Sequence, residues 1–140
     1  MQIRFNASLM LSIPVLIALV ITLMPVPSSA FVPEDITTLK ETKKCHGCDL
    51  RGADLRGLNL SGINIEGANL MGANLEGVLL EEATLDDASC EKTNFRNAKL
   101  HGTSLDHATI DGADFNGADL QDVTWVDGKV CKKGSIGVCK

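Results

Sequence analysis

Aromatic residues and net positive charge are both scarce in this chain of 140 residues. It has no tyrosine, one tryptophan and four phenylalanines, and its 18 Asp and Glu outnumber its 13 Lys and Arg. Surfaces that bind nucleic acid usually present a basic stripe with interleaved aromatic residues. We therefore expect no nucleic-acid partner.

The sequence patterns of common catalytic sites are also missing. There is no G-x-S-x-G, no H-E-x-x-H and no glycine-rich phosphate loop. The repeat described below predicts a regular rod, and such a rod would also lack the deep pocket that small-molecule chemistry prefers. We therefore predict that the protein is not an enzyme and has no cofactor and no metal site.

The one long apolar run, from Leu9 to Met24, is short for a membrane span, which needs about 20 residues. It follows Arg4 and precedes a stretch of small residues that ends at Ala30. This order is typical of a secretory signal peptide, so residues 1–30 are predicted to be removed. The mature protein is then exported and free of the membrane. An uncleaved anchor is the alternative.

A period of five residues dominates the rest of the sequence. Every fifth residue from Leu50 to Trp125 is large and apolar or is cysteine, and the second residue before it is uncharged and most often alanine. Glycine often follows two places after the large residue. This period fits neither a helix nor a flat strand. It predicts a solenoid that turns a corner every five residues.

The segment CDLRGADLRGLNLSGINIEGANLMGANLEG, which begins at Cys48, resembles the pentapeptide repeat family with its signature A-D/N-L-x-x. The resemblance implies an all-β fold, a right-handed quadrilateral β-helix in which four pentads form one coil. Residues 48–127 would then make about four coils, in which residues twenty apart stack. Phe95 and Phe115 would share a column, and Trp125 would close the open end.

Solenoids need caps, because an open end exposes apolar interior and unpaired backbone. We assign residues 31–47 to an N-terminal cap with a short helix within 33–44, and residues 128–140 to a C-terminal cap loop closed by a disulfide. Four successive corners, at Glu82, Asp87, Lys92 and Asn97, lack glycine. We expect some of them to use another turn type, although Asp and Asn can tolerate the left-handed conformation.

The five cysteines predict disulfides, since these persist outside the cytosol. Cys131 and Cys139 bracket a short loop and are the first predicted pair, and Cys45 and Cys48 are the second. Cys90 occupies a core position and should be a buried free thiol. The sequence leaves this connectivity open. A redox role for Cys45 and Cys48 remains an alternative function.

The outward residues predict an interaction surface. Positions twenty apart bring acidic residues together on one side, which we call the acidic face: Glu66, Asp86, Asp87, Asp106 and Asp127. Such a surface would attract a basic partner protein. The opposite side is mixed in charge. An ordinary solvated acidic surface is the alternative interpretation.

The resemblance also bears on function. Some members of the family mimic DNA and inhibit DNA gyrase, whereas exported members in cyanobacteria and in the thylakoid lumen have no known activity. A signal peptide argues against the DNA-mimic alternative, because it removes the chain from the cytoplasm. We predict an interaction or scaffold module of the periplasm, the medium or the thylakoid lumen, either monomeric or dimeric end to end.

Overall fold

The computed structural model describes residues 33–140. It begins with helix α1, Pro33–Thr42. Among the described residues, no helix has the length and the hydropathy to cross a membrane. The predicted signal peptide lies outside the described residues.

The β-structure of the coils consists of parallel bridges of one residue each, and every parallel bridge joins residues twenty apart. The first is Lys44 with Asn64 and the last is Ser104 with Thr124. No longer strand forms between residues 33 and 140, because a corner follows each bridge. The chain therefore winds through four twenty-residue coils with one bridge on each of four walls, which we number from residues 45–64 (first coil) to residues 105–124 (fourth coil).

Each corner is a tight turn with a constant hydrogen-bond pattern, as residues 50–53 illustrate. The Ala53 amide donates to the Leu50 carbonyl at 3.1 Å, and Gly52 has a φ of 66°. A type II turn requires this positive φ at its third residue. The Leu50 amide donates to the Asn69 carbonyl of the next coil at 2.8 Å. The pentad thus closes its own turn and also bonds the next coil.

The Asp or Asn that often precedes the large residue has a local function. Its side chain accepts a hydrogen bond from the amide two residues later, as in Asn64 with Glu66 at 3.0 Å. Short polar side chains favour turns by this kind of bond. The same contact recurs at Asp49, Asp54, Asn59, Asn69, Asn74, Asn94, Asp114, Asp119 and Asp127.

The interior is filled by the large residue and the small residue of each pentad, nearly all of them buried. Phe95 and Phe115 stack with their ring centroids 4.8 Å apart and their planes within 5°, which confirms the predicted shared column. Trp125 tilts against Phe115 at 5.2 Å. Two small positions hold threonine, and each hydroxyl donates to a leucine carbonyl: Thr93 to Leu70 and Thr103 to Leu80.

The expectation of another turn type at the corners without glycine was wrong. Glu82, Asp87, Lys92 and Asn97 have φ between 56° and 58°, close to the values of the glycine corners. The bonds to the adjacent coil impose this conformation, since the Asp87 amide donates to Asp106 just as the Gly67 amide donates to Asp86. These residues accept a backbone conformation that L-residues usually avoid.

The N-terminal cap is α1 together with residues that lead into the first coil. Leu39 of α1 is fully buried and Ile36 packs against the core. The helix ends at Thr42, two residues short of the predicted range, where Lys43 takes a positive φ of 53°. Left-handed residues commonly end helices in this way.

The C-terminal cap reverses the chain direction. The Trp125 amide donates to the Lys129 carbonyl, and Gly128 has a φ of 75°. This is the geometry of a hairpin with a three-residue loop. Thr124 then pairs with Val130, and Asp119 pairs with Ile136, both antiparallel. The cap is thus a strand-like segment along the edge of the fourth coil.

Candidate interaction surfaces

The acidic face is formed by residues in consecutive coils, placed one above another by backbone hydrogen bonds. The Gly67 amide donates to the Asp86 carbonyl at 2.8 Å, and the Asp87 amide donates to the Asp106 carbonyl at 2.9 Å. Glu66, Asp86 and Asp106 therefore form one row. All three are half-buried, whereas Asp87 is exposed. The repeat thus brings together the carboxylates that the sequence spacing grouped.

Hydrogen bonds within the acidic face fix one of these carboxylates. Asp86 Oδ1 accepts a hydrogen bond from the Asp106 amide at 3.1 Å and another from the Ser104 hydroxyl. Asp86 is therefore held in place by Ser104 at the end of its own coil and by Asp106 of the next coil. Glu66 and Asp87 have no ion-pair partner among the residues described. These two carboxylates are the ones free to meet a partner.

Two members of the acidic face lie beside a histidine or a lysine of this chain. His107 Nδ1 is 3.1 Å from Asp106, and Lys129 Nζ is 2.5 Å from Asp127. The Lys129 hydrogen bond lowers the pKa of the Asp127 carboxyl from its usual value. Sequence reasoning missed the Lys129 contact because Lys129 belongs to the cap, outside the period. The negative potential is therefore concentrated toward Glu66, Asp86 and Asp87.

The opposite side carries its own ion pairs. Asp49 pairs with Arg51 at 2.5 Å and Asp54 pairs with Arg56 at 2.7 Å. Hydrogen bonds from these arginines lower the pKa of both carboxyls. Such exposed pairs contribute little stability. They neutralise this side, so it offers less net charge than the acidic face.

The structure joins Cys45 to Cys48 and Cys131 to Cys139, with Cα–Cα distances of 5.4 and 5.0 Å. Cys90 is a buried free thiol, and burial raises its pKa to about 12. Thiol exchange requires access to a sulfur. Cys45 is only 3% exposed and Cys48 is half-buried, which weakens the redox alternative.

A groove of about 400 Å³ lies at the C-terminal cap and was not predicted. It is lined by Trp125, Asp127, Lys129, Val130, Lys132, Cys139 and Lys140. The only sequence signal for it was the four lysines after Asp127. Within residues 33–140 no cluster of three metal-ligating side chains occurs.

Comparison with known proteins places these features in context. The sequence model of the pentapeptide repeat family matches residues 48–87 and 83–122, with eight copies of the repeat. A comparison with curated proteins found no match. The two matched ranges cover more than half of the chain.

Solved structures give similar folds. HetL, a pentapeptide repeat protein involved in heterocyst differentiation regulation in the cyanobacterium Nostoc sp. strain PCC 7120, is 32% identical, with a TM-score of 0.61. The match covers 62% of this chain and 40% of HetL, so the chain spans less than half of that protein.

Two further structures are more distant. Rfr23 from the cyanobacterium Cyanothece 51142 is 22% identical over 64% of this chain and 82% of its own, with a TM-score of 0.37. A pentapeptide repeat protein from the Arabidopsis thaliana thylakoid lumen is 25% identical over 64% and 85%, with a TM-score of 0.18.

Proposed function

The chain belongs to the pentapeptide repeat family, whose members fold as right-handed quadrilateral β-helices, and on that premise we propose that it is an exported, non-enzymatic module that binds a basic partner protein through its acidic face. The compartment is the periplasm, the medium or a thylakoid lumen. Both disulfides support the export part of this proposal, because disulfides persist in an oxidising environment.

The observation that carries the proposal is the uneven distribution of charge. Residues 45–127 contain fifteen acidic and five basic side chains, whereas residues 128–140 contain four lysines and no acidic side chain. Within the acidic part, Arg51, Arg56 and Arg96 pair with carboxylates outside the acidic face. These arginines therefore do not neutralise the negative charge of Glu66 and Asp87. The electrostatic field of this charge would steer a basic protein toward the acidic face.

The export part of the proposal is tested first, by N-terminal sequencing of the native protein. A mature chain that begins at Phe31 supports it, and a chain that retains Met1 contradicts it. An intact N-terminus would also restore the uncleaved anchor and the DNA-mimic alternative.

The binding part is tested with the variant Glu66→Lys/Asp87→Lys. Lysine fits at the second position because Lys92 occupies the equivalent corner with a φ of 58°. The control Glu41→Lys/Glu76→Lys makes the same change in net charge with two exposed residues outside the acidic face.

Proteins from the exported compartment are captured on each immobilised variant and identified by mass spectrometry. We expect the wild type and the control to retain the same basic proteins, and the acidic-face variant to lose them. Equal recovery on all three would overturn the proposed function.

A further inference from the structure

The C-terminal cap differs from the coils in both charge and apolar exposure. Residues 128–140 contain four lysines and no acidic side chain, whereas residues 45–127 contain fifteen acidic and five basic side chains. Four large apolar side chains are exposed in the described part of the chain, and three of them belong to this cap: Val130, Ile136 and Val138. Exposed apolar surface of this kind commonly marks a site of contact with another molecule.

The groove at this cap, which we call the cap groove, combines an aromatic ring with the lysines. Trp125 is half-buried and lines the groove together with Val130, which is 59% exposed. The indole tilts against Phe115 with the ring centroids 5.2 Å apart, and Phe115 stacks on Phe95. The interior aromatic column thus supports the ring that lines the groove. Such a ring beside an exposed valine suits one apolar anchor residue of a partner.

Bonds within the cap hold the two segments of the cap groove together. Lys132 and Lys140 both line it, and the Lys132 amide donates to the main-chain oxygen of Lys140 at 3.1 Å. The disulfide between Cys131 and Cys139 links the residues directly before them. The Lys140 amide also donates to Ser135 Oγ at 3.1 Å. The backbone of the groove is therefore formed before a partner binds, which lowers the entropic cost of binding.

The side chains that line the cap groove carry net positive charge. Asp127, which also belongs to the acidic face, pairs with Lys129 at 2.5 Å, so the charges of these two side chains cancel. Lys132 and Lys140 have no acidic side chain within ion-pair distance among the residues described. One positive charge remains even when a terminal carboxylate at Lys140 is counted. The groove therefore favours an anionic group.

Two further aspartates lie near the cap, but neither of them lines the cap groove. Asp122 Oδ2 is 3.6 Å from Nδ1 of His101, which belongs to the third coil and is one level farther from the cap. Asp119 is bridged to Ile136, on the wall next to that of Val130. The lysines therefore determine the charge that an occupant of the groove meets.

We propose that the cap groove binds an acidic segment of a partner protein that carries one aromatic or aliphatic anchor residue. The anchor packs against Trp125 and Val130, and carboxylates on either side of it meet Lys132 and Lys140. The cap groove and the acidic face have opposite charge, so one molecule has sites for partners of either sign. This proposal depends on the cap alone, and it stands whether or not the acidic face binds a basic protein.

The acidic face of a second copy fits the cap groove less well than a partner protein does. It supplies carboxylates, but none of its residues is apolar, so it offers no anchor for Trp125. Met71, the remaining exposed large apolar residue between positions 33 and 140, lies outside the acidic face.

The test uses Trp125, the only tryptophan of the chain, whose indole N–H gives a single signal in a nitrogen-15 NMR spectrum. Three peptides with blocked termini are titrated into the isotope-labelled protein with both disulfides formed. They are EEFEE, the charge-reversed KKFKK, and EEAEE, which lacks the anchor. We expect a saturable shift of the indole signal with EEFEE, and only small shifts that do not saturate with the other two.

Two double variants locate the binding site. Lys132→Gln/Lys140→Gln should weaken the binding of EEFEE by roughly fivefold, as expected for the loss of two exposed ion pairs. The control Lys40→Gln/Lys44→Gln removes the same charge from two exposed residues at the other end of the rod, and its affinity should equal that of the wild type.

Several outcomes would refute the proposal. They are the absence of a saturable shift with EEFEE, an equal affinity for EEFEE and either of the other peptides, and an equal affinity of the two double variants. An indole shift that grows with protein concentration in the absence of peptide would assign the cap groove to a second copy and would also overturn the proposal.

Discussion

The corners from Gly52 to Gly77 and the four corners that follow, at Glu82, Asp87, Lys92 and Asn97, have nearly the same backbone but different residues. The glycines reach positive φ without steric cost. The side-chain corners reach it against a preference of about 1–2 kcal/mol per residue. Unlike glycine, the residues at these corners place a charged or polar side chain on the surface. Asp87, which belongs to the acidic face, is one of them. Backbone strain often coincides with functional positions.

The interiors of the two regions differ as well. Leucine and isoleucine fill every large position before the corners from Gly52 to Gly77, whereas Cys90 and Phe95 replace leucine within the third coil. The third coil thus contains three of these four corners and also both of these replacements in the interior. Three experiments separate these contributions.

The largest effect is expected inside the third coil. Phe95→Ala should lower the free energy of unfolding by about 3–5 kcal/mol, because it leaves a cavity and removes the ring that stacks on Phe115. Urea unfolding measures the loss. Trp125 fluorescence should change with it, since Phe115 lies between the two rings. Leu75→Ala, one coil earlier in the same column, is the control and should leave the native fluorescence unchanged; a change in both variants would contradict a local stack.

The second experiment concerns the thiol of Cys90, whose effect on stability should appear at alkaline pH. Cys90 has a pKa raised to about 12 by burial and then by Glu91, above the ordinary value of 9.0. The folded state thus favours the neutral thiol, and the stability it contributes is complete below pH 9 and is lost as pH rises toward 12. The loss approaches about 1.4 kcal/mol per pH unit in this window. Cys90→Val should lack this component, so the difference in urea midpoint between the two proteins should depend on pH; a constant difference would rule it out.

The smallest effect concerns the corners themselves. Gly72→Ala should cost about 1–2 kcal/mol through backbone strain alone, because an added Cβ would meet nothing within 4 Å. Lys92→Gly should be stabilising by at most about 1 kcal/mol, since relief of strain is offset by the greater freedom of the unfolded chain. Thermal unfolding of both variants measures the two changes. Changes of the same sign would show that the two kinds of corner are not equivalent.

The period of five made much of the fold predictable. In a solenoid each residue's neighbour is fixed by a constant separation, so the stacking of Phe95 on Phe115 followed from the sequence alone. The grouping of Glu66, Asp86 and Asp106 followed for the same reason. The local role of Asn64 and its equivalents was visible only as a preference for Asp or Asn, because the hydrogen bond depends on turn geometry.

What lies outside the period could not be predicted in this way. The reversal after Trp125 and the contact of Lys129 with Asp127 depend on a hairpin that occurs once in the chain. The conformation at Glu82 and Lys92 was missed because the preference of these residues favours another turn, while the bonds between coils impose the glycine conformation.

The twenty-residue spacing of the bridges limits how the length of this molecule can change. Removal of twenty residues would shorten the rod by one coil, and the remaining side chains would still stack in the same rows. Removal of five would rotate all later residues by a quarter turn, so that Asp106 would leave the wall of Glu66 and the cap would meet a different side. Insertions and deletions in the solenoid are therefore expected to be tolerated when they add or remove a multiple of twenty residues. The coil geometry would limit in this way how the length of the protein can change in evolution.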